Sequence, residues 1–333
     1  MNFCILGAGA WGTAMAVHLQ RENHTVTLVP RRLEHASELA TTRENRDYLP
    51  GVRLAEDIQI ALELKPALME AEVVVLACPS QRLRALAEEI RPALDSAWRV
   101  KMFVSLCKGL EQETLLRPSQ VLAEVLPGRA HGVLSGPTNA GEVARGLPSA
   151  VVFAAEAEEE TLVQVQEALS SKMLRTYRSN DVAGVELGGI LKNIYAIGAG
   201  ICDGLQLGSN AKAALLTRSM HEMVRLGTAA GGKAETFYGL SGVGDLIATA
   251  HGDWSRNRRF GELLAREKET AAQCLAESGM TVEGYWATGC FHQFAQRKNI
   301  VAPILEALHA VVYSGVGLHE GMEMLMRRML KPE

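Results

Sequence analysis

The sequence predicts an α/β protein whose first half alternates strands with helices and whose second half is all helical. Short apolar runs separated by amphipathic segments continue to about residue 180, and from Asp181 onward the strand pattern stops. With 333 residues the chain is long enough for two domains. We therefore place an α/β domain at 1–180 and a helical domain at 181–333.

Composition and charge exclude several functional classes. Hydrophobic residues make up 47% and charged residues 22%, which is typical of a globular protein. A net charge of −4 predicts no binding to nucleic acid. The six cysteines contain no C-x-x-C pair, so we expect no metal site and no disulfide framework. The first residues form an apolar strand without a basic leader, so we expect a cytoplasmic protein.

The first thirty residues carry a dinucleotide-binding pattern. A predicted strand at Asn2–Leu6 runs into a G-x-G-x-x-G motif, and the predicted helix Thr13–Arg21 follows. Gly7 permits the tight turn, Gly9 lets the backbone approach a pyrophosphate, and Gly12 lets the helix pack closely. The helix N-terminus then offers N–H groups to the phosphates. The first domain is therefore predicted to be Rossmann-like, the alternative being a glycine-rich turn without a ligand.

The end of the second predicted strand, Thr25–Val29, bears on the choice of cofactor. NAD sites usually place an acidic residue there, but the chain continues with Arg31 and Arg32 and has no acid before Glu34. Two guanidiniums suit a 2′-phosphate, which they can hold bidentately. The sequence therefore favours NADP(H), with NAD(H) as the alternative cofactor. The alternative is that the arginine pair only stands at an exposed helix start and does not bind the cofactor.

Further strands are predicted at Val73–Ala77, Val100–Val104, His131–Leu134, Ala150–Ala154 and Met173–Tyr177. In an open parallel sheet, ligands bind beyond the carboxyl ends of the strands. Lys108 and the turn at Gly136 follow two of these strands, so both are candidates for ligand contact. A lone surface lysine is the alternative for Lys108.

The helical half begins with a long apolar helix, predicted at Gly184–Gly204. Its apolar residues fall on all sides, which predicts a buried helix. A buried Lys192 needs a partner, a shifted pKa or a ligand, and a desolvated lysine is suited to proton transfer. The alternative is that Lys192 reaches the surface. Glu186, Lys192 and Asp203 argue against a membrane span.

Two polar clusters lie farther along the helical half. Asp245 ends the glycine-rich stretch Gly239–Asp245, where it could be a ligand or only a helix cap. Ser255, Arg256 and Asn257 stand at a predicted helix start, and a hydroxyl, backbone N–H groups and a guanidinium together suit a phosphate. The alternative for this second cluster is an exposed basic helix end.

Taken together, these motifs resemble the bacterial-type NAD(P)-dependent glycerol-3-phosphate dehydrogenases. The resemblance covers most of the chain in family order. It rests on GAGAWGTAMA (Gly7–Ala16), SLCKGLE (Ser105–Glu111), LSGPTNAGEVARGLPSA (Leu134–Ala150), DVAGVELGGILKNIYAIGAGICDGL (Asp181–Leu205), NAKAALLTRSMHEMVRLG (Asn210–Gly227), GLSGVGDL (Gly239–Leu246) and SRNRRFG (Ser255–Gly261). The chain departs from the family pattern at Thr249–Gly252, where the family usually has a Cys-Thr run.

The resemblance implies a reaction and a role for each matched residue. The family interconverts dihydroxyacetone phosphate and sn-glycerol 3-phosphate and supplies glycerophospholipid synthesis. Lys192 would be the general acid/base, with Lys108, Asn193 and Asp245 supporting it. The implied substrate contacts are Lys108, Gly136, Thr138, Lys192, Asp245, Ser255, Arg256 and Asn257. The implied cofactor contacts, in addition to Gly7, Gly9 and Gly12, are Ala10, Trp11, Arg31, Arg32, Lys108, Ala140, Arg256, Thr281 and Glu283.

Two other hypotheses remain open from the sequence. One is a dehydrogenase of a hydroxyacid or sugar acid on the same two-domain plan, which the phosphate-like cluster at Ser255–Asn257 disfavours. The other is a catalytically silent NADP(H)-binding sensor, which would not need Lys108, Lys192 and Asp245. The expected partner is a small phosphorylated three-carbon substrate, and the expected assembly is a homodimer without a membrane span.

Overall fold

The computed structural model describes residues 1–266 and 270–330. Within those residues the chain divides into two compact units. The N-terminal unit contains residues 1–111 and 116–186, and the C-terminal unit contains residues 112–115 and the chain from Leu187 onward. The domain limits 1–180 and 181–333 stay a prediction, and the two compact units meet a few residues later, after Glu186.

The N-terminal unit is built on one sheet, which has eight strands within the described residues. The strands are β1 Asn2–Leu6, β2 Thr25–Val29, β3 Gln59–Ile60, β4 Val73–Leu76, β5 Met102–Ser105, β6 Ala130–Ser135, β7 Ser149–Ala155 and β8 Leu174–Ser179. Their order is β3-β2-β1-β4-β5-β6-β7-β8. The α/β class and the Rossmann-type arrangement predicted from the sequence are therefore confirmed.

The sheet is mixed rather than wholly parallel, which corrects the expectation of an open parallel sheet. Neighbouring strands run parallel except β6 and β7, where Gly132 pairs with Ala155 and Ser135 with Val152 in antiparallel register. A parallel crossover needs a connection of a dozen or more residues, usually with a helix that spans the sheet. The helix between β6 and β7, Ala140–Ala144, is a single short turn, so the chain reverses there instead of crossing over.

Helices cover both faces of this sheet. They are α1 Ala10–Arg21, α2 Leu33–Thr42, α3 Leu64–Glu70, α4 Leu83–Ile90, α5 Pro118–Val125, α6 Ala140–Ala144 and α7 Glu159–Leu169. Phe3 and Ile5 of β1 face the cluster that contains Met15 and Leu19 of α1. Leu6, which points the other way, lies in a second cluster with residues of α4 and α5. Burial on both faces explains why these strands are continuous apolar runs in the sequence.

The C-terminal unit is helical, as predicted. The chain enters it along α8 Val182–Gly204 and continues with α9 Gly208–Ala229, α10 Ala234–Phe237, α11 Asp245–His251, α12 Arg256–Arg266, α13 Ala271–Ser278, α14 Glu283–Lys298, α15 Pro303–Ser314 and α16 Leu318–Met326. A π-helical turn, Leu240–Gly244, leads into α11. The sequence prediction missed β3 and the helices α2, α3, α5 and α10, of which β3, α3 and α10 are short.

Three glycines bring two helix backbones, those of α12 and α14, against α8. A Cβ atom at Gly261 of α12 would lie 2.1 Å from the carbonyl oxygen of Ile197, and one at Gly200 would lie 1.9 Å from that of Arg258. At Gly284 of α14 it would lie 2.4 Å from the carbonyl oxygen of Asn193. Any side chain at these positions would force the helices apart. The glycines therefore fix where α12 and α14 begin relative to the middle of α8.

Helix α8 is the one helix in the described part of the chain that is long and apolar enough to cross a membrane. However, 94% of the most apolar 18-residue stretch of α8 is buried inside the protein. Such burial is typical of a core helix, since a helix that is apolar all round must be covered on every side. Length and composition are therefore only weak evidence for a membrane span here.

Candidate active site

Lys192 is buried in the middle of α8 and is held by two oxygen atoms from α11. Its Nζ donates to Asp245 Oδ1 at 3.0 Å and to Thr249 Oγ1 at 2.7 Å. The Thr249 hydroxyl in turn donates to the same Asp245 oxygen at 3.1 Å. The lysine side chain is 5% exposed and that of Asp245 is fully buried. Lys192 therefore does not extend to the surface, and we call Lys192, Asp245 and Thr249 the lysine triad.

The local fold of α11 explains this arrangement. The cap position of α11 is Gly244, and Asp245 is the first helical residue, which excludes the alternative that Asp245 is only an N-cap. Residues four apart on a helix share a face, which places Thr249 beside Asp245. Thr249 is a site residue that the sequence analysis missed. Its spacing from Asp245 within a predicted helix is the signal that would have found it.

The triad has the chemical properties of a proton-transfer site. An ammonium removed from water is costly unless a counter-charge and hydrogen bonds compensate it, and Asp245 and Thr249 supply both. A buried ion pair adds little net stability compared with apolar packing of similar volume. Its presence in the core of the C-terminal unit makes the lysine triad a candidate functional site.

Asn193 and Asn257 join three helices next to the triad. Asn193 Oδ1 accepts a hydrogen bond from Asn257 Nδ2 at 2.8 Å, and Asn257 Oδ1 accepts one from the Gly284 N–H at 2.9 Å. Asn193 is 3% exposed and Asn257 is 9% exposed. The close approach permitted by Gly284 makes this network possible. The two amides therefore also tie α8, α12 and α14 together.

The start of α12 brings together the predicted phosphate residues. Ser255 Oγ accepts from the Arg258 N–H at 3.2 Å and so caps the helix. The first N–H groups of a helix have no partner within the helix, and in α12 they belong to Arg256 and Asn257. Loss of hydration among the surrounding protein atoms lowers the pKa of the Arg256 guanidinium, and the charge of nearby Glu283 opposes this. The Arg256 side chain is nevertheless exposed to solvent. The helix start can thus receive an anion.

Arg258 is already committed to carboxylates and does not belong to this anion site. Its guanidinium donates to Asp203 at 2.7 Å, to Asp253 at 2.8 Å and to Glu262 at 2.9 Å. These carboxylates raise the pKa of Arg258, against the opposing effect of burial. Arg256, by contrast, stands at the first helical position of α12 and is exposed.

Lys108 and the turn after β6 meet in the N-terminal unit. Lys108 Nζ donates to the carbonyl oxygen of Gly136 at 2.9 Å and to Thr138 Oγ1 at 3.1 Å. Gly136 has φ of +137°, a conformation that only glycine adopts readily. The carboxyl ends of β5 and β6 therefore bring together three of the residues that the sequence singled out.

The glycine-rich loop after β1 has the shape that a pyrophosphate requires. A Cβ atom at Gly7 would lie 2.4 Å from the carbonyl oxygen of Ala77, and one at Gly12 would lie 2.0 Å from that of Gly7. At Gly9, by contrast, a Cβ would meet no atom within 4 Å. Helix α1 begins directly after Gly9, so its first N–H groups face this open space. These residues fit a bound dinucleotide.

The remaining residues predicted to contact the cofactor lie at or just before the starts of helices. Arg32 is the cap position of α2, and both Arg31 and Arg32 are exposed. Ala140 begins α6, whose cap Asn139 accepts from the N–H groups of Gly141 and Glu142. Ala10 and Trp11 begin α1, Thr281 is exposed just before α14, and Glu283 begins α14. No group of three or more metal-ligating side chains occurs in the part of the chain that the structure describes.

A glycine-rich loop on an α/β sheet, together with a buried lysine–carboxylate pair in a helical unit, is typical of oxidoreductases that use a nicotinamide dinucleotide. A family model for the N-terminus of NAD-dependent glycerol-3-phosphate dehydrogenase matches residues 2–161, and its C-terminal counterpart matches residues 181–323. The chain belongs to this NAD-dependent glycerol-3-phosphate dehydrogenase family.

Relatives and solved structures agree with the family assignment. The chain is 42% identical to a glycerol-3-phosphate dehydrogenase [NAD(P)+] of Carboxydothermus hydrogenoformans, over 99% of this chain and 97% of the relative. It is 45% identical to the protein of that name from Moorella thermoacetica, over 98% and 96%. A solved glycerol-3-phosphate dehydrogenase of Coxiella burnetii superposes with a TM-score of 0.91 at 35% identity and covers 98% of this chain and 99% of its own. The resemblance stated from the motifs is thus confirmed.

Proposed function

We propose that Lys192 is the general acid/base for the reversible NAD(P)H-dependent reduction of dihydroxyacetone phosphate to sn-glycerol 3-phosphate. The observation that carries this proposal is the buried lysine triad. In the reductive direction Nζ gives a proton to the C2 oxygen as negative charge develops there, and in the oxidative direction it takes that proton back. A nicotinamide bound at the glycine loop would supply the hydride to C2 in reduction and accept it in oxidation.

Asp245 and Thr249 position the lysine in this proposal. The carboxylate stabilises the ammonium before proton transfer, and the hydroxyl fixes the direction of Nζ, since it accepts from Lys192 and donates to Asp245. A proton donor must be held within hydrogen-bond reach of the atom that it protonates. Two oxygen partners at 2.7 and 3.0 Å support such a fixed position.

Substrate binding is assigned to two sets of residues. In the N-terminal unit, Lys108, Gly136 and Thr138 are assigned to substrate binding because the Lys108 ammonium donates to the Gly136 carbonyl and the Thr138 hydroxyl. In the C-terminal unit, Asn193 is assigned to it. The start of α12 binds the phosphate through Arg256, backbone N–H groups and the side chains of Ser255 and Asn257. A guanidinium and a helix N-terminus both favour a phosphate dianion.

The glycine loop binds the pyrophosphate, and Arg31 and Arg32 favour NADPH over NADH. Exposed guanidiniums directly after β2, with Glu34 as the first acid, support this preference. Further cofactor contacts are proposed from Ala10, Trp11, Lys108, Ala140, Arg256, Thr281 and Glu283. The product supplies glycerophospholipid synthesis in the cytoplasm, and the working assembly is a homodimer.

The test is the oxidation of NADPH and NADH, followed by absorbance, with dihydroxyacetone phosphate and with unphosphorylated dihydroxyacetone. We expect rapid turnover of the phosphorylated ketone with NADPH and little turnover of the unphosphorylated one. Replacing Arg31 and Arg32 by serine raises the KM for NADPH about tenfold or more and leaves that for NADH nearly unchanged.

Each failure of this assay has a distinct meaning. Equal use of NADH by the unaltered protein would discard the cofactor preference and keep the reaction. Turnover of unphosphorylated hydroxyacids instead would indicate a different dehydrogenase. Cofactor binding without turnover of any ketone, in folded protein, would favour the sensor hypothesis.

A further inference from the structure

Two cysteines lie at the carboxyl ends of neighbouring strands in the N-terminal unit. Cys78 comes two residues after β4, and Cys107 comes two residues after β5. The β4–β5 ladder pairs Leu76 with Ser105, an offset of 29 residues, and Cys78 and Cys107 have the same separation. The cysteines thus continue the register beyond the last ladder pair. Neighbouring strands lie about 4.8 Å apart, within the range of Cα separations that a disulfide spans.

The side chains of the pair already face each other. The two Sγ atoms are 3.9 Å apart, and the Cys107 thiol donates to the carbonyl oxygen of Cys78 at 3.1 Å. That hydrogen bond directs the Cys107 sulfur toward Cys78. Cys107 is 4% exposed, whereas Cys78 is half-buried and can meet a small solute. One accessible thiol beside one sheltered thiol is the arrangement of an attacking and a resolving cysteine.

The other cysteines are poor competitors for oxidation. Burial raises the pKa of the Cys4 thiol to about 12 and that of Cys290 to about 11. Cys202 and Cys274 are also buried, and burial raises the pKa of Cys202 as well. Because the thiolate is the reactive form, these groups react slowly with an oxidant.

We propose that Cys78 and Cys107 form a reversible disulfide in the presence of a peroxide, and that this bond reduces activity by displacing Lys108. The effect on activity rests on the proposed function of Lys108, whereas the formation of the bond does not. The sequence alone gave no hint of this pair, since the two cysteines are far apart in the chain and form no motif.

The chemistry balances with hydrogen peroxide as the oxidant. The Cys78 thiolate attacks one peroxide oxygen, the O–O bond breaks, and Cys78 becomes a sulfenic acid while hydroxide leaves and takes a proton to give water. The Cys107 sulfur then attacks the Cys78 sulfur, the S–O bond breaks, and a second water leaves. In sum, two thiols lose two electrons and two protons, and one peroxide is reduced to two waters.

The bond would disturb Lys108 because Lys108 follows Cys107 directly. The sulfurs must approach from 3.9 Å to ~2.05 Å, so one or both cysteines move. Lys108 Nζ is held at 2.9 Å by Gly136 and at 3.1 Å by Thr138, and a backbone shift before Lys108 would lengthen these contacts. A misplacement of about 1 Å at an active site can cost ~100-fold in rate. We expect oxidation to lower kcat/KM at least about tenfold.

The experiment treats the reduced full-length protein with hydrogen peroxide, blocks remaining thiols by alkylation and maps the peptides by mass spectrometry. We expect one linked peptide pair that contains Cys78 and Cys107, lighter by two hydrogen atoms and absent after dithiothreitol. Activity with dihydroxyacetone phosphate should fall with the appearance of this pair and return on reduction. Cys78→Ala should keep its activity under peroxide, whereas the matched control Cys290→Ala should be inactivated like the unaltered protein.

Several results would overturn the proposal. Oxygen adducts at Cys78 without the linked pair, or a link between other cysteines, would refute the disulfide. A complete Cys78–Cys107 link with unchanged activity would refute its effect on Lys108. If the reduced protein turned over no substrate at all, the proposed function would fail, but peptide mapping would still decide on the bond. Mapping on the unaltered protein needs no variant, so misfolding of Cys78→Ala would not prevent the decision.

Discussion

Lys192 and Lys108, the two lysines assigned to the reaction, lie in different units and donate to different kinds of oxygen atom. Lys192 lies on a buried helix of the C-terminal unit and donates to a carboxylate and a hydroxyl. Lys108 lies on a turn after β5 in the N-terminal unit and donates to a carbonyl oxygen and a hydroxyl, both neutral. A carboxylate partner stabilises a buried ammonium in place, which suits proton transfer. The carbonyl and the hydroxyl orient the Lys108 ammonium, which suits contact with an anionic substrate.

We expect the largest loss of kcat when Lys192 is replaced, and little loss when another buried lysine is replaced. Lys192→Met should lower kcat by ~1,000-fold or more, because the proton donor is lost. The matched control is Lys212→Met, since Lys212 is also mostly buried and paired with a carboxylate, Asp203, at 2.7 Å. That control should keep kcat within about twofold, because it removes an ion pair without a catalytic role. Steady-state kinetics with dihydroxyacetone phosphate measure both.

Loss of Lys192 also leaves the Asp245 carboxylate buried without its cation, which costs roughly 3–5 kcal/mol of stability. The double variant Lys192→Met/Asp245→Asn removes that charge as well and should regain much of the lost Tm. Near-normal turnover in folded Lys192→Met would remove Lys192 from the chemistry.

Lys108→Met should have a smaller effect, of a different kind. Removal of a charged hydrogen-bonding group costs about 1.5–3 kcal/mol, so kcat/KM should fall about 10- to 100-fold. The exposed Lys101, just before β5, provides the control Lys101→Met. A loss as large as that of Lys192→Met would show that Lys108 takes part in proton transfer, and no loss would exclude Lys108 from the site.

Arg256→Gln should discriminate between substrates. We expect kcat/KM for dihydroxyacetone phosphate to fall about 10- to 100-fold, because a charged contact to the phosphate is lost. The low activity with unphosphorylated dihydroxyacetone should hardly change. Arg259→Gln, at an exposed position one turn along the same helix, is the control. Equal losses with both ketones would indicate that Arg256 acts on the cofactor or the fold instead.

Thr249→Val should reduce kcat by about tenfold, since one hydrogen bond to the ammonium is lost while Asp245 remains. Thr249→Ser keeps the hydroxyl and should restore most of the activity. A positioning role predicts that kcat changes more than KM. If valine and serine variants behaved alike, the hydroxyl would have no part in orienting Lys192.

The smallest effect concerns acid stability in the N-terminal unit. Burial lowers the pKa of His18, although its hydrogen bond to the Leu169 carbonyl at 3.0 Å opposes this. The unfolded chain then binds a proton more readily than the folded one, so His18 destabilises the fold as pH falls from about 6.5 through its lowered pKa. His18→Gln should reduce the fall in Tm between about pH 7 and about pH 5.

The matching variant for this measurement is His221→Gln, because His221 is exposed on α9. That variant should keep the pH dependence of the unaltered protein. An unchanged slope of Tm against pH in His18→Gln would assign the acid sensitivity to other groups. Neither substitution should alter the pH profile of kcat.

Much of the fold could be predicted because its periodicities are strong. Helix α12 begins where the sequence predicted, since Ser255 is a good cap. β3 has two residues and α10 has four, too few for a period to show. Strand β7 was predicted at Ala150–Ala154, but its antiparallel direction was not. Strand direction depends on how the chain reverses at α6 and not on the apolar pattern of the strand itself.

The sequence by itself determined the class, the dinucleotide loop and the candidates Lys108, Lys192, Asp245 and Arg256, because glycine spacing and charges in apolar surroundings are local signals. Only the tertiary structure decided the partners of those groups. Thr249 joined Lys192, Asn193 joined Asn257, and Cys78 met Cys107 because helix packing and strand register bring distant residues together. Contacts of this kind depend on backbone approach, which glycines such as Gly261 and Gly284 permit, and no pattern along the chain records them.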